Sequence, residues 1–136
     1  ATGLQWIHEG VPHWLVDTRL PFGARPSPSI FHRISQSIKC MMSKRGYDCI
    51  VAYQDDFLVI GKTYEECLEA WVELIRLILS LGFEINYSKL AAPSTDMIFL
   101  GTRINSETMH VYLPENKLQD IRDCLHSFLL KSRATK

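Results

Sequence analysis

The sequence predicts an α+β fold: an antiparallel sheet whose central hairpin packs on two helices, followed by a second hairpin and a C-terminal helix. Three observations lead there. Short runs rich in Val, Ile, Tyr and Phe, each bounded by turn residues, recur in pairs, as strands joined in hairpins do. Two stretches, 27–44 and 63–81, repeat apolar residues at helical spacing, and a third begins at Pro114. The 136 residues suit one domain, long enough to bury most of its apolar surface without disulfide or metal staples.

Residues 4–20 alternate loosely, with Gly10-Val11-Pro12 as punctuation, and read as a hairpin of two short strands in which Trp6 and Trp14 are core or cross-strand aromatics. Leu20-Pro21-Phe22-Gly23-Ala24-Arg25-Pro26-Ser27-Pro28 then breaks regularity, because three prolines and a glycine forbid a continuous ladder. Ser27 is a natural N-cap and Pro28 a natural first helical residue. The helix should run to about Lys44, with Phe31, Ile34, Ile38 and Met41 on one face and Arg45-Gly46 closing it.

At the centre, residues 49–61 form two apolar runs that meet at Gln54-Asp55-Asp56, the tight turn of a hairpin. Two unit charges roughly 4 Å apart repel by about 4 kcal/mol at an effective dielectric of about 20, so adjacent carboxylates call for water or a cation beside them. Magnesium is the natural candidate, since it takes hard oxygen ligands from one or two carboxylates and from substrate phosphates. Asp is also simply a good turn residue, and the pair by itself leaves both readings open.

Thr63-Tyr64-Glu65-Glu66 is a capping box that starts a helix reaching about Leu81, with Leu68, Trp71, Val72, Ile75, Ile78 and Leu79 on one side. Trp71 is expected to be buried against the sheet that carries Tyr53. Gly82 ends the helix as a left-handed cap, and Phe83-Glu84-Ile85-Asn86 resumes extended structure toward Lys89. Residues 96–105 read as one strand, and 109–113 as the returning arm of its hairpin. From Pro114 a helix presents Leu118, Ile121, Leu125, Phe128 and Leu129 on one face, and Lys131, Arg133 and Lys136 give the chain a basic end.

Composition narrows the function classes. Moderate charge and ordinary aromatic content exclude a disordered chain. There is no run of about 18 apolar residues to span a bilayer and no basic-then-apolar leader pattern at Ala1-Thr2-Gly3, so the expected setting is intracellular, in cytoplasm or nucleus, without a membrane partner. Cys40, Cys49, Cys67 and Cys124 lack the paired spacing of zinc sites and read as buried or partly buried free thiols; the five histidines form no metal spacing either. Net charge is zero but segregated: Arg19, Arg25, Arg33, Lys39, Lys44 and Arg45 fall in a stretch without acids, and acids dominate just after it. A basic segment beside a paired-acid site suits an enzyme that handles polyphosphates, and equally suits a solvated helix face.

Tyr53-Gln54-Asp55-Asp56 resembles the Tyr-X-Asp-Asp signature of reverse transcriptases, a catalytic hairpin of the polymerase palm. Leu20, Pro21, Gly23, Ser27, Pro28, Ile30 and Phe31 are similar, in register, to the Leu-Pro-X-Gly and Ser-Pro segment that precedes that hairpin in the family. The resemblance covers nearly the whole chain in order and implies a palm-like fold, with 1–113 a partial palm and 114–136, which opens on a Pro-Glu-X-Lys that resembles the thumb entry, the start of the thumb or a connection helix. It implies an RNA-directed DNA polymerase acting on a nucleic acid primer-template and deoxynucleoside triphosphates. Asp55 and Asp56 would be catalytic ligands of Mg2+ or Mn2+, and Phe22, Gly23, Gln54 and Lys89 would bind nucleotide. Tyr53, Phe99, Leu100 and Gly101 would contact the primer. Phe at position 22, where retroviral enzymes often have Gln, resembles retrotransposons of the gypsy and DIRS kinds.

Family members complete a two-metal site with a third carboxylate on a strand well upstream of the Leu-Pro-X-Gly loop. Here Glu9 and Asp17 are the acids ahead of the loop, and both lie too close to it to substitute. The expectation is therefore a fragment of the polymerase, inactive in isolation, whose open sheet edge takes the upstream polymerase segment or a second copy of the chain. The alternative is a domesticated, catalytically dead palm that serves as a protein or nucleic-acid binding module.

Overall fold

The computed structural model describes residues 3–16 and 18–130, so Asp17 and the basic end at Lys131, Arg133 and Lys136 lie outside the described residues. The α+β expectation holds, but the strands stay in three small antiparallel ladders instead of one sheet. In order they are β1 (Gly3–His8), β2 (Val11–Val16), α1 (Ser27–Ser43), β3 (Ile50–Tyr53), β4 (Asp56–Val59), α2 (Tyr64–Ser80), β5 (Asp96–Phe99), β6 (Thr102–Asn105), β7 (His110–Tyr112) and α3 (Glu115–Leu129). The ladders are β1-β2, β3-β4 and β5-β6-β7. The chain divides into two compact units, Ala1–Phe57 and Leu58–Lys136.

In the first unit, β1 and β2 pair around Glu9 and Gly10, whose φ of 49° and 78° are the two left-handed positions of a type I′ turn. The turn therefore precedes Pro12, which is accommodated within β2 opposite Ile7. Trp6 stands opposite His13 and Trp14 opposite Gln5, and both indoles are exposed, so of the two roles expected for them, core or cross-strand, the core role does not hold.

Helix α1 packs on β3, burying Ile38 and Met42 from the helix and Ile50 and Ala52 from the strand. Its buried stripe runs through Ser35, Ile38 and Met42, while Ile34 and Met41 are exposed. The stripe is rotated from the expected Phe31, Ile34, Ile38 and Met41 face because a serine, which an apolar-periodicity reading passes over, is turned toward the strand. Ser27 is not the N-cap either: Pro26 holds that position and Ser27 is the first helical residue. Helix α1 ends in a Schellman closure, with Tyr47 N–H donating to the Met42 carbonyl (3.1 Å) and Gly46 N–H to that of Ser43 (2.9 Å). Helix α2 ends the same way around Gly82.

In the second unit Thr63 caps α2 as expected, its Oγ1 accepting from Glu66 N–H at 3.2 Å, while the Glu66 carboxylate accepts from Lys62 N–H at 3.2 Å, one residue before the cap. The buried line of α2, however, is Ala70, Leu74 and Leu77; Trp71 is only half-buried and Leu79 is exposed. Helix α2 is apolar over a wide arc, so periodicity alone does not locate its centre. A Cβ at Gly61 would come within 2.5 Å of the Cys67 backbone nitrogen, so only glycine lets the strand exit pass the first turn of α2.

Residues 83–86 form no strand; Asn86 instead caps a single 3-10 turn, Tyr87–Lys89, accepting from Ser88 N–H at 3.1 Å. The stretch expected as one strand over 96–105 is two, because Leu100 and Gly101, with φ of 50° and 74°, form a tight turn that folds the chain back on itself. The resulting meander is held by Arg103, whose Nε and Nη2 donate to Asp96 at 2.8 and 2.6 Å and whose guanidinium lies 5.5 Å from the Tyr112 ring centroid. All four cysteines are free; Cys40, Cys49 and Cys124 are exposed and Cys67 is half-buried, so three of them are less buried than expected. Among the described residues no helix is long and apolar enough to cross a membrane.

Replacing Leu74 by Ala should lower unfolding free energy by about 2–5 kcal/mol in urea denaturation, the range for buried leucines; an unchanged midpoint would show that the buried line of α2 lies elsewhere. The Arg103 hydrogen bonds, reinforced by its charge, hold the Asp96 carboxyl below the ordinary carboxylate range. Because the folded value is the lower one, this pair stabilises the fold above the unfolded value of about 3.9 and loses that contribution as pH falls through the folded value. Stability measured from pH 6 downward should therefore decline less steeply in Arg103→Gln than in the native chain.

Candidate functional site

The turn between β3 and β4 is Gln54-Asp55. Gln54 has φ of 50°, the left-handed region that β-hairpin turns need and that a non-glycine residue adopts only against steric resistance. Three side chains of α1 meet this part of the hairpin. Ser35, 1% exposed, donates through Oγ to the Gln54 carbonyl; the Phe31 carbonyl is also in reach at 3.1 Å, and with one proton to give, the hydroxyl serves one carbonyl at a time. Gln36 Nε2 donates to the Ala52 carbonyl at 2.9 Å. The His32 ring meets the Tyr53 ring edge-on, with centroids 6.1 Å apart and planes at 61°.

Asp55, on the turn, and Asp56, which opens β4 and is not part of the turn expected over Gln54-Asp55-Asp56, are both exposed. They are adjacent hard-oxygen donors open to water, which fits a magnesium- or manganese-type cation bound weakly by two protein carboxylates. Among the described residues no group of three His, Cys, Asp or Glu side chains gathers as a ligand set. Glu9 lies in the β1-β2 turn.

The loop before α1 is pinned at its base. Ser27, buried, donates from Oγ to the Pro21 carbonyl at 2.7 Å and from its amide to the Ala24 carbonyl at 3.0 Å. This closes residues 21–27 into a compact loop, with Gly23 at a φ of 78° and Phe22 fully exposed at its tip. The serine of the Ser-Pro pair is thus a loop clasp, a role that its sequence position suggests only once its N-cap role is ruled out.

Phe22, Gly23, Tyr53, Gln54, Asp55 and Asp56 belong to the first compact unit. Lys89, exposed at the end of the 3-10 turn, and Phe99, Leu100 and Gly101, at the β5-β6 turn, belong to the second. His32, Ser35 and Gln36 were not among the residues singled out by sequence. Their signal was a cluster of polar residues at helical spacing on a face otherwise apolar.

A helix-backed hairpin with adjacent carboxylates, downstream of a clasped Leu-Pro-X-Gly loop, is consistent with a palm-like fragment. The family model "Reverse transcriptase (RNA-dependent DNA polymerase)" matches residues 8–104, which includes both segments, and the chain belongs to that family. It is 34% identical over 98 residues to the putative enzymatic polyprotein of Cassava vein mosaic virus, covering 72% of this chain and 14% of that protein. It is 27% identical over 111 residues to Protein P of Woodchuck hepatitis B virus (isolate 8), covering 80% of this chain and 12% of the relative. With the Gag-Pol polyprotein of Avian reticuloendotheliosis virus it shares 26% identity over 98 residues, 71% of this chain and 8% of that one. The chain thus spans a small part of the relatives it matches.

Phe22→Ala should leave stability within about 0.5 kcal/mol, since the ring touches water on all sides, whereas Ser27→Ala should cost about 0.5–1.5 kcal/mol by removing a part-buried hydrogen bond. Urea denaturation of the two variants checks the contrast, and equal midpoints would mean that the clasp does not hold the loop.

Proposed function

We propose that this chain is the palm segment of an RNA-directed DNA polymerase that performs template-directed nucleotidyl transfer by two-metal chemistry, with Asp55 and Asp56 as its metal-holding carboxylates. The observation that carries the reading is the pair of exposed acids on a turn braced by α1, inside the segment matched by the reverse transcriptase family. A divalent cation, Mg2+ or Mn2+, would supply charge stabilisation for the transferred phosphate when bound there. The chain's own residues then bind and orient. Phe22 and Gly23 present an open aromatic face and an unobstructed backbone to the incoming nucleotide, with Gln54 beside the acids. Lys89 offers an ammonium to the leaving phosphate. Tyr53, Phe99, Leu100 and Gly101 hold the primer end.

On this reading 1–113 is partial palm and 114–136 begins the thumb or a connection helix, in an intracellular polymerase of retrotransposon type. The acid that completes the metal site comes from elsewhere in the polymerase. In the β3-β4 ladder, Ile50 N–H already donates to the Asp48 carbonyl at 3.0 Å, and the Ala52 carbonyl accepts from Gln36, so the β3 edge is partly satisfied within the chain. What remains open takes the upstream polymerase segment or, in the isolated chain, a second copy.

Manganese titration followed by paramagnetic NMR broadening tests the site: broadening centred on residues 53–57 and removed by Asp55→Asn is expected, and broadening elsewhere, or indifferent to the substitution, would overturn it. Primer extension by the purified chain should be undetectable. Template-dependent synthesis that Asp55→Asn abolishes would show the chain complete without a further acid, and light scattering on the same sample would refute edge pairing if it reads a strict monomer.

A further inference from the structure

Positions 32, 35 and 36 of α1 are one helical turn apart, and their side chains meet three consecutive residues of the hairpin: Gln36 the Ala52 carbonyl, His32 the Tyr53 ring and Ser35 the Gln54 carbonyl. Such spacing places all three on one face of the helix. These contacts follow one another directly up to the two acids. We infer that His32, Ser35 and Gln36 are positioning residues that set the direction in which the Tyr53–Asp56 turn presents its carboxylates and its tyrosine ring. The functional meaning of this inference rests on the polymerase reading above, but the positioning itself does not.

The physical argument has three steps. A two-stranded ladder such as β3-β4 is marginal alone, so its turn needs an outside brace to keep one shape. The turn contains a non-glycine residue at a φ of 50°, and backbone held in a sparsely populated region persists only where its surroundings over-determine it. Finally, the peptide unit is planar, so fixing the Gln54 carbonyl also fixes the Asp55 nitrogen, and with it the origin of the Asp55 side chain. Ser35 is buried and differs from alanine only by its hydroxyl, so the hydroxyl is the part that does this. A competing role exists: a buried helical serine can simply bond back to its own helix, here to the Phe31 carbonyl at 3.1 Å. In that role the turn would not notice its loss.

His32 acts on the other side of the same residues. Tyr53 is half exposed, and the edge-on His32 ring is the aromatic neighbour that limits its rotamers.

The experiment uses the full 136-residue chain without metal and reads backbone 15N order parameters at Gln54 and Asp55, with χ1 couplings at Tyr53. Ser35→Ala and Gln36→Ala should lower the order parameters from about 0.85 to below about 0.6 at the turn while α1 and β1-β2 stay rigid. Ser35→Thr, which keeps the hydroxyl, should restore them. His32→Ala should average the Tyr53 couplings, and His32→Phe, which keeps the ring, should restore a single rotamer. Unchanged values at residues 53–55 in all the alanine variants, or a loss of order spread evenly over the chain, would overturn the inference; should Ser35→Ala fail to fold, Gln36→Ala and His32→Ala decide it. Manganese affinity measured next should fall by about tenfold in the alanine variants. A native chain that broadens nowhere near Asp55 would sink the polymerase reading and leave the order-parameter result standing.

Discussion

The hydrogen bond from the buried Ser35 hydroxyl to the Gln54 carbonyl joins the long helix of the first unit to the turn that displays the two acids. A hairpin of two four-residue strands has little of its own to resist fraying. Packing of Ile50 and Ala52 on Ile38 and Met42 supplies the apolar anchor, and it is non-directional: it holds the strand down without orienting the turn. Direction comes from the polar contacts of Ser35 and Gln36. The turn can thus be both exposed and held in one direction.

Backbone strain follows a related pattern. The non-glycine residues with left-handed φ are Glu9, Gln54, Leu100 and Met109, among the described residues, and all four lie in connections between paired strands. Two of them fall in segments to which the family resemblance assigns nucleotide or primer contact, Gln54 beside the acids and Leu100 in the β5-β6 turn. A side chain at such a turn projects from the tip of its hairpin, where a partner can reach it. At Gln54 the surroundings that offset the strain are visible in the Ser35 contact. The clasp of Ser27 on Pro21 does comparable work for the loop before α1, leaving Phe22 outward without leaving the loop loose.

The three helices to within a residue or two at their ends, both glycine closures, the capping box, the β1-β2 and β3-β4 hairpins and the two family motifs were legible in the residues themselves, because each depends on neighbours within a few positions. A Thr followed three residues later by Glu, or a Gly after a helical repeat, carries its own instruction. The turn at Leu100-Gly101 is half hidden in the sequence: Gly101 is a turn residue, but a leucine at the left-handed position before it contradicts local preference.

What tertiary structure decided was orientation. The wide apolar arc of α2 admits several centres, and the fold buries the line through Ala70, Leu74 and Leu77 while leaving Trp71 half-buried. In the β1-β2 hairpin the indoles of Trp6 and Trp14 look like core residues by type, yet they are exposed, since burial requires an opposing surface that composition cannot specify. The acids Asp55 and Asp56 could be read from the chain, whereas the partners of His32, Ser35 and Gln36 could not. Ser35 and Gln36 reach partners 19 and 16 residues away, and local periodicity has no term for contacts that only folding brings into register.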